Sequence, residues 1–410
     1  MGVRARQPGT MRERPPGSGH WQMRAYAGDD PLTGRPVQVS RTFVGTERQA
    51  AKELSRLVTE VSDGRFQRTT ATVGQLLDEW LEQARTTQRP RTLYENRSKI
   101  DTRIRPRLGA LKLAKLRPDT LDAAYRAWLD EGLSPTTVHK FHSILSAACR
   151  QAVRWGWIDR APTDLASPPA PARKDMVVPT PERLVRVVAA AEADDPVLAT
   201  AVGLAALTGA RRGELVALRW SDVDLVAARV RIARSATVAG GELIEGPTKT
   251  HQARELALDE LAVEVLQKRR ASMAALAEQA ASPLVADPYV LSYNANGGRP
   301  VNPDTLTHRF ANLCRKMENK ALRTLRESHP KASRRELAPA DRLPYRFHDL
   351  GHFSVTTLIA AGVDIRTVAE RHGHAQATMT LNRYAHALPE RGREAAAVLG
   401  MALGRARAAT

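Results

Sequence analysis

Near the end of the chain, imidazoles and a phenol crowd into one short stretch. His348 and His352 stand four residues apart in RFHDLGHFSVTTLIAAG, a spacing that puts both rings on one face of a helix. His372 and His374 flank Gly373, and Tyr384 follows in TLNRYAH, a segment opened by Thr378 and Thr380 and closed by His386. Imidazoles hold and pass protons near neutral pH, and a phenol beside them is a candidate nucleophile. HDLGH also imitates the paired histidines of a helical zinc site, with Asp349 where a metalloprotease carries glutamate. That glutamate is absent and no third ligand is evident, so no metal is expected.

Two helices must position these groups. FSVTTLIAAG is apolar and stops at Gly362. VDIRTVAERH follows and stops at Gly373, where glycine takes the left-handed conformation that ends a helix. Two helices and a turn bring His348, His374 and Tyr384 within reach of one another. Upstream, PVLATAVGLAALTG reads as a buried helix, apolar on all sides. Arg211 follows its glycine turn, and Glu214, three residues on, can hold the guanidinium in place. Arg212 is expected to point to solvent. Lys249 lies in GPTKTHQ, a polar turn next to strand-like segments.

The chain has 410 residues, room for two or three domains. Hydrophobic residues make up 42% and aromatics 5%, which favours helical, aliphatic cores. Against 62 Lys and Arg stand 44 Asp and Glu, a formal charge of +18. The excess is spread over the whole length, which points to a polyanion that the protein encloses, most simply nucleic acid. Cys149 and Cys314 lie far apart in helical patterns and read as buried thiols in a reducing compartment. The N-terminal residues are basic without the apolar segment of a secretion signal, and no apolar run approaches the ~20 residues that span a bilayer. A cytoplasmic, nucleoid-associated protein without membrane contact is expected.

In chain order, residues 1–19 are rich in Arg, Pro and Gly and read as a disordered tail. Residues 20–68 hold two strands with period-2 alternation, HWQMRAYAG and PVQVSRTFVG, then a helix opened by Thr46. Trp21, Tyr26 and Phe43 are expected to form their small core. Residues 69–165 read as four or five helices, residues 166–178 as a proline-stiffened linker, and residues 179–410 as an α+β domain. In this last domain ARVRIARSATV, ELIEGPTKT and ARELALD are strands of a small antiparallel sheet, PYVLSY is a short strand, and 319–342 is an exposed insertion. The fold class is therefore multidomain and mainly α, with a small N-terminal sheet and a second small sheet in the last domain.

The combination resembles the tyrosine recombinases, the phage-type integrases. TGARRGEL resembles that family's first arginine motif, GPTKT its β-hairpin lysine, and HDLGH, GH and the tyrosine of TLNRYAH its C-terminal signature. The resemblance implies an arm-binding domain at 20–68, a core-binding domain at 69–165 and a catalytic domain at 179–410. It implies Tyr384 as nucleophile, with Arg211, Lys249, His348 and His374 around the scissile phosphate and Glu214, Asp349 and His352 as structural support. It implies a 3′-phosphotyrosine intermediate, which conserves bond energy without a cofactor. Arg24, Arg35 and Arg41 would meet arm-site DNA. Arg89, Arg91, Arg97, Lys99, Lys140 and His142 would meet core-site phosphates. The implied partners are double-stranded DNA, a homotetramer on that DNA, and excisionase-type and DNA-bending proteins. One position departs: the family's second arginine falls on Gly351. Impaired cleavage is expected from that departure, and the competing reading is a DNA-binding homologue that performs no strand exchange.

Overall fold

A computed structural model of the chain describes residues 9–30, 34–62, 69–171, 177–248, 253–373 and 376–384. It divides into two compact units, Met1–Lys174 and Asp175–Thr410.

The first unit opens with three antiparallel strands, β1 (Gly9–Glu13), β2 (His20–Asp29) and β3 (Pro36–Val44), in the order β1-β2-β3. Helix α1 (Glu47–Ser62) lies on one face. Alternation sorts the sheet: Met23, Ala25 and Ala27 turn to the helix and bury against Leu57 and Val61, while Arg24 is exposed on the opposite face beside its cross-strand partner Ser40. Residues 9–13, expected as part of a disordered tail, form β1 instead. Its Met11 pairs with Met23 and extends the buried face.

Three expectations for this sheet need correction. Arg41 is the cross-strand partner of Met23, so it faces α1, where its guanidinium meets Glu53 at 3.0 Å and Glu60 at 2.7 Å. Trp21 and Tyr26 are absent from the core. Trp21 is half-buried and donates its indole N–H to Gly45 O at 3.0 Å, and Tyr26 pairs with Gln38 on the other face. Phe43 packs against the core as expected. Arg35 is exposed.

The helical part comprises α2 (Val73–Ala84), α3 (Pro90–Lys99), α4 (Arg105–Leu108), α5 (Pro118–Asp130) and α6 (Pro135–Arg154). A capping box of Thr72 and Gln75 starts α2, and Ser134 with Pro135 at the first position starts α6, the residue types these sites favour. Between α3 and α4 the turn Ile100–Ile104 widens to a π-helix, next to Pro106, which can neither donate to the helix ladder nor fit a regular turn. Trp80, Ile100, Ile104, Tyr125, Trp128 and Phe141 fill the core. Cys149 joins it, and burial pushes its thiol up to about 12; Cys314, in the second unit, is pushed up to about 12 in the same way. His142, expected to contact phosphate, instead meets the Tyr125 hydroxyl at 2.8 Å. Burial first, then His139 and Arg150, hold its pKa below the usual histidine value. Arg89, Arg97 and Lys140 are exposed, and Arg91 and Lys99 share Glu95 at 2.9 and 3.7 Å.

The second unit contains α7 (Pro181–Asp194), α8 (Pro196–Thr208), α9 (Arg212–Val216), β4 (Val223–Asp224), β5 (Arg229–Ile232), β6 (Arg234–Ala239), β7 (Glu242–Pro247), β8 (Arg254–Ala257), α10 (Glu260–Gln279), α11 (Pro303–Ser328), α12 (Asp349–Ala360), α13 (Ile365–Arg371) and α14 (Ala377–Tyr384). Helix α8 is buried along nearly its whole length and packs against α7, α10 and α12. The segment expected as one strand over ARVRIARSATV breaks after Ile232. Its halves enter different sheets, β4-β5-β8 and the hairpin β6-β7. PYVLSY supplies only an isolated bridge between Arg219 and Tyr289. Helix α11 runs 26 residues into the expected insertion, and Leu322, Ala332 and Leu337 form a small cluster of their own there.

The two faces of the N-terminal sheet predict opposite outcomes for two arginines. In a DNA-binding titration, Arg24→Ala lowers affinity and reduces the salt slope by about 1. Arg41→Ala leaves the slope unchanged and costs under ~1 kcal/mol of stability, as exposed ion pairs do. The reverse pattern would put the other face of the sheet on the DNA.

Candidate active site

The site begins where α8 ends. Buried on all sides, α8 stops at Gly209, whose φ of +66° is left-handed. A Cβ there would lie 1.8 Å from Cε1 of His372, so the turn admits only glycine beneath that imidazole. Two residues on, Arg211 caps α9. Glu214 accepts the Arg211 backbone N–H at 2.9 Å and pairs with its guanidinium at 3.0 Å.

Glu214 holds a second cation. Arg254 of β8 donates to it through both terminal nitrogens, at 2.7 and 3.2 Å. The same guanidinium donates Nε–H to Arg371 O at 2.9 Å, and Arg211 donates to Gly373 O at 2.9 Å. One carboxylate, 2% exposed, thus fastens α9, β8 and the end of α13 together. Burial pushes the Glu214 carboxyl up, but the hydrogen bonds and charges of Arg254 and Arg211 outweigh it and hold the pKa below the ordinary value. Gly373 has φ +61°, and a Cβ there would come within 2.9 Å of Arg254 Nη1.

From the other side comes α12. Asp349, 1% exposed, accepts the Arg346 backbone N–H at 2.8 Å and pairs with its guanidinium at 2.9 Å, which sets the start of the helix. His348 precedes it, and the His348 and His352 rings meet edge to face with centroids 4.7 Å apart. Nδ1 of His352 is hydrogen-bonded to the Tyr384 hydroxyl. Tyr384, at the end of α14, is 3% exposed and packs with Val355, Ile359 and Val368.

Arg211, His348, Gly351, His352, His372 and Tyr384 line one cavity of about 70 Å³, above the ~10–15 Å³ that admits a water. Four of the six residues expected at a catalytic centre therefore converge: Arg211, His348, Gly351 and Tyr384. Lys249 and His374 lie outside the described residues. The described chain reaches Thr248 from β7, whose Glu245 accepts the Tyr289 hydroxyl at 2.9 Å and pairs with Arg219 at 3.4 Å. Arg212 does not run free into solvent. Its guanidinium is 3.2 Å from Asp304 and donates to Thr307. Arg254 has no signal in the sequence, since RELA carries no feature beyond strand alternation. Gly351 is half-buried, and the nearest atom to a Cβ there would be Gly209 O at 4.0 Å. Among the described residues no three His, Cys, Asp or Glu side chains form a metal-ligand group.

The profile of the phage integrase family matches residues 179–391, and that of the phage integrase N-terminal SAM-like domain matches residues 72–129. The chain belongs to the phage integrase family. This is the tyrosine recombinase class, which cleaves and rejoins DNA. The chain is similar to the ICEBs1 integrase of Bacillus subtilis, 22% identical over 92% of this chain and 96% of the relative. The putative prophage phiRv2 integrase of Mycobacterium tuberculosis is 26% identical over 93% and 92%. In fold it matches the Tn1549 transposon integrase in complex with circular intermediate DNA, with TM-score 0.61 and 22% identity over 79% of this chain and 98% of that one. A lambda integrase tetramer bound to a Holliday junction matches with TM-score 0.54 and 19% identity over 94% and 95%. Among the described residues no helix is long and apolar enough to cross a membrane.

Two substitutions test how the site is held. Glu214→Gln leaves two guanidiniums around a neutral amide, and urea denaturation at pH 7 should show a loss of about 3–5 kcal/mol. Because the folded pKa of Glu214 is depressed below 4.5, its contribution is present above the unfolded value and lost as pH falls through the folded one. The gap between the two proteins therefore narrows below pH 4.5; a gap that is the same at pH 3 and pH 7 would contradict this. Gly209→Ala adds about 1–2 kcal/mol of left-handed backbone strain and displaces His372. Its melting temperature should fall, and an unchanged melt would show that the ring is not held over the turn.

Proposed function

We propose that this integrase cuts and rejoins DNA at specific sites through a 3′-phosphotyrosine bond on Tyr384, moving a mobile element into or out of a larger DNA. The observation that carries the reading is the convergence of Arg211, His348 and Tyr384 on one cavity. The Tyr384 oxygen attacks the scissile phosphate, and the DNA 5′ oxygen leaves. Arg211 and His374 hold the non-bridging oxygens, where charge develops in the transition state. Lys249 gives a proton to the 5′ oxygen, and His348 orients or shuttles a proton. Glu214 and Asp349 act behind them, on Arg211 and on the start of α12.

The proposed partner is duplex DNA, met by Arg24 and Arg35 on the N-terminal sheet and by Arg89, Arg91, Arg97, Lys99 and Lys140 on the helical part. The net charge of +18 supports this. The arm-binding, core-binding and catalytic domains are assigned to residues 20–68, 69–165 and 179–410, with β1 added to the first. A homotetramer on DNA, nucleoid localisation, and excisionase-type and DNA-bending partners complete the proposal.

Gly351 sets the rate in this proposal. Where the family pattern has a second arginine, this chain has no side chain. Removing one transition-state donor costs ~10²–10³ in rate, and the chain is proposed to cleave slowly. The position supports a simple test, because it lines the cavity and a Cβ there would lie 4.0 Å from Gly209 O, an ordinary contact. On a nicked suicide duplex, the wild type should form a covalent adduct that is absent in Tyr384→Phe, and Gly351→Arg should form it ~10²–10³ faster. Gly351→Ala is the control. It should stabilise α12 by about 1 kcal/mol without raising the rate. Equal rates for Gly351, its arginine variant and its alanine variant would sink the proposal for this position, and an adduct that survives Tyr384→Phe would sink the nucleophile.

A further inference from the structure

The hydrogen bond between His352 and Tyr384 puts a ring nitrogen on the oxygen assigned as nucleophile. A buried tyrosine hydroxyl takes a partner in any case, as Tyr125 takes His142; what sets His352 apart is that it lines the cavity shared with Arg211 and His348. His352 lies on α12 one turn past His348, is 3% exposed, and meets the Tyr384 hydroxyl through Nδ1. Tyr384 is equally buried, so this contact forms away from bulk water. A phenol with an ordinary pKa near 10 is almost entirely protonated at neutral pH, and its attack on a phosphodiester needs something to receive the proton. In the cavity the His348 ring meets that of His352 edge to face, the His372 ring lies over Gly209, and Nδ1 of His352 meets the oxygen assigned as nucleophile.

We propose that His352 is the general base of the cleavage step, taking the Tyr384 proton on Nδ1 as the tyrosine oxygen bonds to phosphorus. The inference rests on the assignment of Tyr384 as nucleophile. Before the step, His352 is neutral with its proton on Nε2, and the phenol O–H donates to Nδ1. In the step the O–H bond breaks and the O–P bond forms. The bond from phosphorus to the 5′ oxygen breaks with its electron pair on that oxygen, which takes a proton from the acid assigned to Lys249. His352 is left as an imidazolium, and the phosphotyrosine carries no phenolic proton. On rejoining, the 5′ hydroxyl gives its proton back to the Lys249 amine as its oxygen bonds to phosphorus, the bond from phosphorus to the tyrosine oxygen breaks, and His352 returns its proton to the leaving phenolate. The base thus works in both directions without exchanging its proton with water. Among the described residues, the titratable and charged groups that line the cavity with His352 are His348 at the start of α12, Arg211 and Arg212 at α9, His372 after α13, and Tyr384 itself.

The test isolates the base from the acid. A suicide duplex with a bridging sulfur in place of the scissile 5′ oxygen needs no acid, because a thiolate leaves unprotonated. On this substrate, single-turnover adduct formation is measured from pH 5 to 9 for the wild type, His352→Ala and His352→Asn, each also in the Gly351→Arg background. Asparagine can still hydrogen-bond the phenol near the Nδ1 position but cannot accept its proton. The expected result is a loss of ~10²-fold or more in both variants on oxygen and sulfur substrates alike, with disappearance of the rising limb of the wild-type pH profile through the imidazole range. Lys249→Ala, by contrast, should be slow on oxygen and restored on sulfur. Thermal melts and DNA affinity of His352→Asn should match the wild type, so the loss is not one of folding. Wild-type rates in His352→Asn would overturn the base and leave a positioning residue. Wild-type rates in His352→Ala, or restoration of either variant by sulfur, would overturn the inference altogether. Absence of any adduct in the wild type and in Gly351→Arg on both substrates would overturn the nucleophile assignment, and this inference with it.

Discussion

The catalytic unit depends on one buried carboxylate. Glu214 sits at the third position of a helix of five residues, too short to be stable through its own hydrogen bonds. What fixes it is the pairing of Glu214 with Arg211 of its own segment and Arg254 from β8, while the two guanidiniums bond the carbonyls of Gly373 and Arg371. A buried charge of this kind is tolerable only when it is fully paired, and here the pairing joins three segments far apart in sequence. Arg211 is therefore held where it lines the cavity.

Two glycines allow this closeness. At Gly209 the left-handed turn leaves room for His372, and at Gly373 the backbone comes against both guanidiniums. A third glycine has the opposite character. Gly351 lies in the first turn of α12, where a Cβ would make only an ordinary contact, with Gly209 O at 4.0 Å. The cavity thus has Arg211 on one wall, a hydrogen-bonded imidazole and phenol at His352 and Tyr384, and Gly351 in its lining.

The parts of this arrangement legible in sequence are those with local signatures. The all-apolar α8, its glycine stop, Arg211 with Glu214, and the histidines spaced along α12 each follow from periodicity or capping, and the motif order joined them. What was not legible depends on long-range geometry. Arg254 looks like any strand residue until β8 is laid beside β5. Arg41 reads as a DNA contact only through the resemblance to an arm-binding domain, and the register with Met23 turns it to Glu53 and Glu60. His142 shared a helix with basic residues, and only the packing of α5 on α6 brings it to Tyr125. The tail strand β1 has little strand character of its own and is stabilised by an edge that β2 provides. His352 was visible as a helix neighbour of His348, but its hydrogen bond to Tyr384 spans two intervening turns of chain that periodicity does not place.

The claim that joins these features is that the cavity between Arg211 and Tyr384 is where a scissile phosphate sits. Its most direct test is the structure of Tyr384→Phe bound to a nicked duplex carrying a site selected by the protein from a random pool. The account predicts the phosphate in the cavity, its non-bridging oxygens within hydrogen-bond distance of the Arg211 guanidinium, with Glu214 still holding that arginine and the ring at position 384 facing the phosphorus. A phosphate bound elsewhere, with Arg211 unengaged and still donating only to Glu214 and Gly373, would contradict it.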